Sequence, residues 1–276
     1  MPNTQSLGLL IQTSDLAPLL DEPSILPVFI GSAETFAQGH IPGSVLIEPM
    51  ELLCGTAPAV GKIPDDASLS KLFSRIGLEP TCRVIAYDDE GGGWAGRLIW
   101  TLDVVGHRHF HYLDGGLVAW RAEQRPQAIE AKTRAFSHFE VAVDRNRLID
   151  VEQILAQLGS ANFAIWDARS AAEYCGEKIL AARGGHIPGA ANLDWLELMD
   201  RGNSLRLKPL SDIQRMLDDR GLTLDKTIVT HCQSHHRSAL TYLVGKLIGL
   251  NITAYDGSWS EWGNRTDTPI ETTSQP

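Results

Sequence analysis

Residues 230–239 read THCQSHHRSA and gather one cysteine, three histidines and one arginine within seven consecutive positions. Three chemistries suit those residue types. Cysteine and histidine are zinc ligands. However, His235 and His236 are adjacent, so their side chains diverge unless the backbone bends sharply, and the chain has no CxxC pair. No metal site is expected. An inert buried thiol is the usual state of a free cysteine, but the polar residues after Cys232 would have to be buried with it. The remaining chemistry is a nucleophile held in an anion-binding loop. Cys232 follows an apolar run and precedes an amphipathic one, a strand–loop–helix order that turns successive backbone N–H groups toward one point and adds the helix dipole. A thiolate there is stabilised, with a pKa of roughly 3.5–7.5 in comparable settings. Cys232 is then the nucleophile, and Gln233, Ser234, His235, His236, Arg237 and Ser238 form the loop around its anionic cargo. Arg237, together with a protonated His235 or His236, adds positive field. Cys54, Cys82 and Cys175 stand alone without a basic cluster and read as structural.

Elements that place a cysteine this way are visible on both sides of it. KTIVTH, ending at His231, reads as a buried strand. From Ser238 to Leu250 the apolar residues Leu240, Leu243, Val244, Leu247 and Ile248 make the stripe of a helix packed on a sheet, with Gly249 to end it. Upstream, a helix is expected over Asp150–Leu158 with Asp150 as its cap. FAIWDAR reads as a strand, Leu210–Arg220 as a helix and ITAYDG as a further strand. Strands alternating with helices imply a mainly parallel sheet covered on both faces, an α/β fold. Ligands in such folds bind at the carboxyl ends of the strands, where Cys232 lies.

The pattern occurs twice. GHIPGSV at Gly39–Val45 returns as GHIPGAA at Gly185–Ala191, and YLDGGLVAW at Tyr112–Trp120 returns as AYDGSWSEW at Ala254–Trp262. RVIAYDDEGGGWAGRL matches TIVTHCQSHHRSALTYL in pattern, which aligns Asp88 with Cys232. Matched landmarks in one order at nearly constant offset mark a duplicated domain. The boundaries are placed at 1–126, a linker at 127–147 that wraps the surface, and 148–276. Because His40 and His186 belong to the repeated GHIPG unit, they read as structural. Gly91–Gly93 lacks the Lys-Ser/Thr of a phosphate loop and reads as a flexible remnant. Trp94, Trp120 and Trp262 read as core.

The bulk numbers exclude other functions. A formal charge of −10 over 276 residues opposes a nucleic-acid partner, and no apolar run reaches the roughly 18 residues of a membrane span. The first 16 residues have no basic n-region and no long apolar core, so no secretory signal is read there and a cytoplasmic location is expected. Reduced thiols follow from that location.

Cys232 and Arg237 resemble the cysteine-phosphatase pair, but four residues separate them here where that signature has five. A shorter loop makes a tighter cradle, suited to a single sulfur atom. Together, the two GHIPG units, WDARS at Trp166–Ser170, the DGG…W ending and the six-residue loop CQSHHR resemble tandem-domain rhodaneses, the thiosulfate sulfurtransferases. The loop is similar to the azotobacterial type rather than the mitochondrial one. The resemblance implies two tandem rhodanese-like domains with sulfane sulfur carried as a persulfide on Cys232. It also implies an anionic sulfur donor, a thiophilic acceptor (cyanide, a dithiol or a protein thiol) and no metal or organic cofactor. The N-terminal copy, with Asp88 for the cysteine, resembles the family's inactive domain. Trp195 falls where relatives line the pocket mouth, and Asp167 and Arg169 lie at the site's periphery, tying the DAR turn to its neighbours. Two positions depart from animal rhodaneses: Ser234 replaces a second basic loop residue, and Glu173 replaces an arginine that assists thiosulfate. A persulfide carrier serving a protein partner and a phosphatase-like enzyme are the alternatives. A monomer is expected, since the duplication lets one chain bury its own inter-domain face.

Overall fold

The computed structural model describes residues 7–273; the outer ends of the two expected domains and the start of the segment read for a signal lie outside them. The first unit runs β1 (Leu10–Ile11), α1 (Thr13–Leu16), β2 (Ile25–Ile30), α2 (Ala33–Gln38), β3 (Val45–Ile47), α3 (Asp66–Arg75), β4 (Arg83–Tyr87), α4 (Gly93–Val104), β5 (Phe110–Leu113) and α5 (Gly116–Ala122). The second runs α6 (Val151–Gln157), β6 (Phe163–Asp167), α7 (Ala171–Tyr174), β7 (Ala191–Asn192), β8 (Met199–Asp200), β9 (Arg206–Leu207), α8 (Leu210–Asp218), β10 (Thr227–His231), α9 (Arg237–Ile248), β11 (Asn251–Ala254) and α10 (Ser258–Trp262).

The first sheet has the order β1-β5-β4-β2-β3 and the second β11-β10-β6-β7, with parallel pairing throughout. The orders correspond strand for strand, β1 being an addition to the first. Between β7 and α8 the second unit inserts an antiparallel hairpin of β8 and β9. β2, ILPVFI, is buried at every position, as a parallel strand covered on both faces must be.

Local signals set the helix limits. The Asp150 carboxylate accepts from the Gln153 N–H at 2.8 Å, starting α6 one residue after its cap. Gly249, at φ 89°, ends α9. The expected helices agree with the observed ones to within one or two residues at each end. The linker is tied to the first unit as it passes over it: Val141 N–H donates to Ser70 Oγ at 2.9 Å, and Phe139 meets Phe73 edge-on.

Each sheet has one face on a private core, around Phe29 and Trp120 in the first unit and Ile165 and Trp262 in the second. The other faces share a single core that includes Trp100 and Leu98 from α4 and Leu240 and Leu243 from α9. These equivalent helices pack on each other so closely at Gly96 that a Cβ there would lie 2.6 Å from the Ala239 carbonyl oxygen. The loops before α4 and α9 are thereby brought to the same seam.

Candidate active site

Cys232 follows β10 at the carboxyl end of the sheet, 1% exposed. Its loop is fixed by the start of α10: Trp259 N–H donates to the Cys232 carbonyl and Ser260 N–H to the Gln233 carbonyl, both at 2.9 Å. Ser258 Oγ accepts from His235 N–H at 3.1 Å and Cys232 N–H at 3.4 Å while donating to the Tyr255 carbonyl. Ser258 and His235 both adopt left-handed backbone, φ 51° and 53°, which non-glycine residues rarely do without compensating contacts. Burial alone pushes the Cys232 thiol up. Arg237, the Ser238 hydroxyl and backbone N–H, and His236 outweigh it and hold the pKa below the ordinary thiol value.

The loop side chains divide sharply. The expectation that His235 adds positive charge is corrected. Its ring is fully buried beside Trp100, with Nδ1 2.8 Å from Ser238 Oγ. Burial, then Arg97 and His236, drive its pKa well below the imidazole range, so it is neutral. Gln233 turns away to donate to the Leu180 carbonyl, and Ser234 presents its backbone to Gly61, where a Cβ would lie 2.2 Å from the Ser234 oxygen. His236 is sandwiched near Trp94 and Trp195, with ring centroids 4.2 and 5.5 Å away, and bonds Glu90. Trp195 therefore stands beside the loop. Arg237 is engaged bidentately by Glu173, at 2.7 and 2.8 Å. Asp167 and Arg169 form a buried pair at 2.6 Å, and Arg169 also donates to the Gly185 carbonyl. That pair anchors the DAR turn, with His231 Nε2 3.6 Å from Asp167.

The first copy contributes more than its sequence suggests. Gly91–Gly93 is not a flexible remnant but buried and closed on Asp88. One carboxylate accepts the N–H groups of Glu90, Gly91, Gly92 and Ala95 at 2.9–3.2 Å. The aligned loop thus displays what a negative atom receives at this place in the fold. Burial, and then Glu90, raise the Asp88 pKa to about 6. Trp94 is corrected from core to site wall. Trp120 and Trp262 are fully buried, as expected. Three further residues touch the site: Glu90, Arg97 and Ser258. Arg97 is fully buried and donates to the His235 and Leu52 carbonyls at 3.2 and 2.8 Å. Its lone signal is a charged residue inside the otherwise apolar helix WAGRLIW.

A family model described as a rhodanese-like domain matches residues 14–123 and again 150–265. A thiosulfate sulfurtransferase of Azotobacter vinelandii is 47% identical over 272 residues, covering 98% of this chain and 100% of that protein. One from Pseudomonas aeruginosa is 46% identical over 266 residues, covering 96% and 97%. Among solved structures, the anaerobic ergothioneine biosynthesis enzyme of Chlorobium limicola superposes with a TM-score of 0.81 at 20% identity. That match covers 91% of this chain and 65% of the longer one, and speaks for the fold alone.

Proposed function

The chain belongs to the rhodanese family, matched in both halves, and from that premise we propose that it is a thiosulfate sulfurtransferase working through Cys232. The carrying observation is a buried thiol at a strand end whose pKa is held down by Arg237 and by the hydroxyl and backbone N–H of Ser238. The Cys232 thiolate attacks the outer sulfur of thiosulfate; the S–S bond breaks and sulfite leaves with the bonding pair. The resulting persulfide keeps its negative sulfur in the cradle that Asp88 fills in the other copy. A thiophile (cyanide, a dithiol or a protein thiol) then takes the outer sulfur and restores the thiolate. Two displacements through a covalent intermediate give ping-pong kinetics.

In this reading the sulfur rides on the protein itself without metal or organic cofactor, and the first copy is catalytically silent because a carboxylate carries no sulfur. The loop side chain His236, with Trp195, flanks the entry, while Asp167 and Arg169 support the turn beneath it. The chain acts as a cytoplasmic monomer, a reading supported by the shared core that covers its inter-domain face; among the described residues no helix is long and apolar enough to cross a membrane.

Cys232→Ala is expected to abolish thiocyanate formation while leaving the fold intact. Thiosulfate should add about 32 Da to the parent chain, an adduct removed by cyanide, and add nothing to the variant. Turnover by the variant at the parent rate would overturn the assignment.

A further inference from the structure

The sulfur cradle is built for an anion, yet the cations about it are already matched by carboxylates. Arg237 is bridged by both oxygens of Glu173 and Arg169 by Asp167, while the His236 ring bonds Glu90. Among the described residues no carboxylate forms an ion pair with Arg97, which is fully buried and spends its guanidinium on the Leu52 and His235 carbonyls. The Arg237 pair is the one that bears on the cargo, because Arg237 is the loop's own arginine. Glu173 is itself 2% exposed and fixed a third time by the Ser170 hydroxyl at 2.8 Å, so Arg237 is not free to swing onto an incoming anion.

We propose that Glu173 is a specificity-determining residue that, by neutralising Arg237, sets the Cys232 cradle to favour sulfane-sulfur donors carrying one negative charge over the thiosulfate dianion. This rests on the sulfurtransferase reading and names the charge class of its donor. The physical ground is the charge that accumulates. Thiolate plus thiosulfate brings three negative charges to a site whose arginine is already compensated. A thiosulfonate, in which a carbon group replaces one oxygen, brings two. The chemistry is otherwise the same: the thiolate forms a bond to the outer sulfur, the S–S bond breaks, and its electron pair leaves with sulfite in one case and sulfinate in the other. No proton moves and no oxidant is needed. Glu173 acts through Arg237 and is a positioning residue, so its test must separate charge selection from support of the loop.

Glu173→Gln is suited to this. Glutamine keeps the side-chain length and, like glutamate, serves at the third position of a capping box, so Ser170 still starts α7. Steady-state kcat/KM is measured for thiosulfate and for methanethiosulfonate, in parent and variant. Intrinsic donor reactivity cancels when the two proteins are compared. The variant should raise the thiosulfate-to-methanethiosulfonate ratio about tenfold, as expected for removing one charge from a partly screened site, with most of the change in KM for thiosulfate. An unchanged ratio, with both donors losing rate together, would reduce Glu173 to a structural support and overturn the proposal.

A second measurement uses only the parent chain and decides the matter if the variant does not fold. Methanesulfonate and sulfate are near-isosteric, unreactive and differ by one charge. Methanesulfonate should be the stronger competitive inhibitor against thiosulfate, and stronger inhibition by sulfate would overturn the proposal. Failure of the parent to turn over either donor would instead sink the sulfurtransferase reading.

Discussion

Arg237 is claimed from two sides, by the Cys232 thiolate and by the Glu173 carboxylate. Burial depresses the pKa of the guanidinium, but Glu173 and Cys232 more than restore it, so it stays charged. Replacing it with glutamine has two consequences of the same sign. The thiolate loses the first of the groups that offset its burial, and Glu173 is left as an unmatched carboxylate nearby. Both raise the thiol pKa. The acid limb of kcat/KM for Arg237→Gln should therefore move to higher pH by about one unit or more. Iodoacetamide alkylation followed against pH should move with it, at a cost in stability of roughly 3 kcal/mol for breaking the pair. An unmoved acid limb would mean that the loop N–H groups hold the thiolate unaided. Cys232 and Arg237 were legible from their spacing. The partner of Arg237 was not: Ser170 and Glu173 form a capping box at the start of α7. The same carboxylate also reaches residue 237, a meeting that only the packed fold brings about.

The loop between β10 and α9 depends on an element that local sequence does not connect to it. Strands and helices were readable because their apolar periods are local, and Asp150 and Gly249 marked helix ends by their own side chain or lack of one. The turn at Ser258 gave no such sign. Its counterpart in the first copy is Gly116, at φ 49°, where left-handed backbone carries no Cβ penalty. The second copy places a serine at φ 51° instead, and the hydroxyl accepts the Cys232 and His235 N–H groups. Removing that acceptor leaves buried donors unmatched, at about 1–3 kcal/mol. Both Ser258→Ala and Ser258→Gly should thus lower Tm and cut kcat/KM several-fold. Glycine relieves the left-handed strain and alanine does not, so the glycine variant should be more stable than the alanine variant by about 1 kcal/mol. Equal stability would show that the strain at this residue is negligible, and full activity in both would show that its hydroxyl does not organise the loop.

At the scale of the whole chain, the duplication was legible because GHIPG and the aromatic endings recur in order. Which faces the copies present to each other was not. α4 is buried nearly all round and α9 over Ser238–Gly245, so the apolar stripe read on α9 does not tell the side facing the sheet from the side facing the other helix. Polar contacts at the edge of the seam help fix it. Asp103 of α4 accepts from Tyr242 Oη of α9 at 2.5 Å and pairs with Lys246 of α9 and with Arg147, at the end of the linker, each at 3.3 Å. It also meets Arg108. Burial raises the Asp103 pKa, but Tyr242, Lys246 and Arg108 outweigh it, and the net shift is downward. A carboxylate whose folded pKa lies below its unfolded value of about 3.9 stabilises the fold above that pH. Its contribution fades as the pH falls through the unfolded value toward the folded one. Asp103→Asn should therefore be less stable than the parent at pH 7, by about 2 kcal/mol for a lost network of charged hydrogen bonds. The gap should narrow as urea unfolding is repeated at successively lower pH below about 4. A gap that stays constant across that range would mean that the Asp103 charge contributes nothing to holding the two copies together.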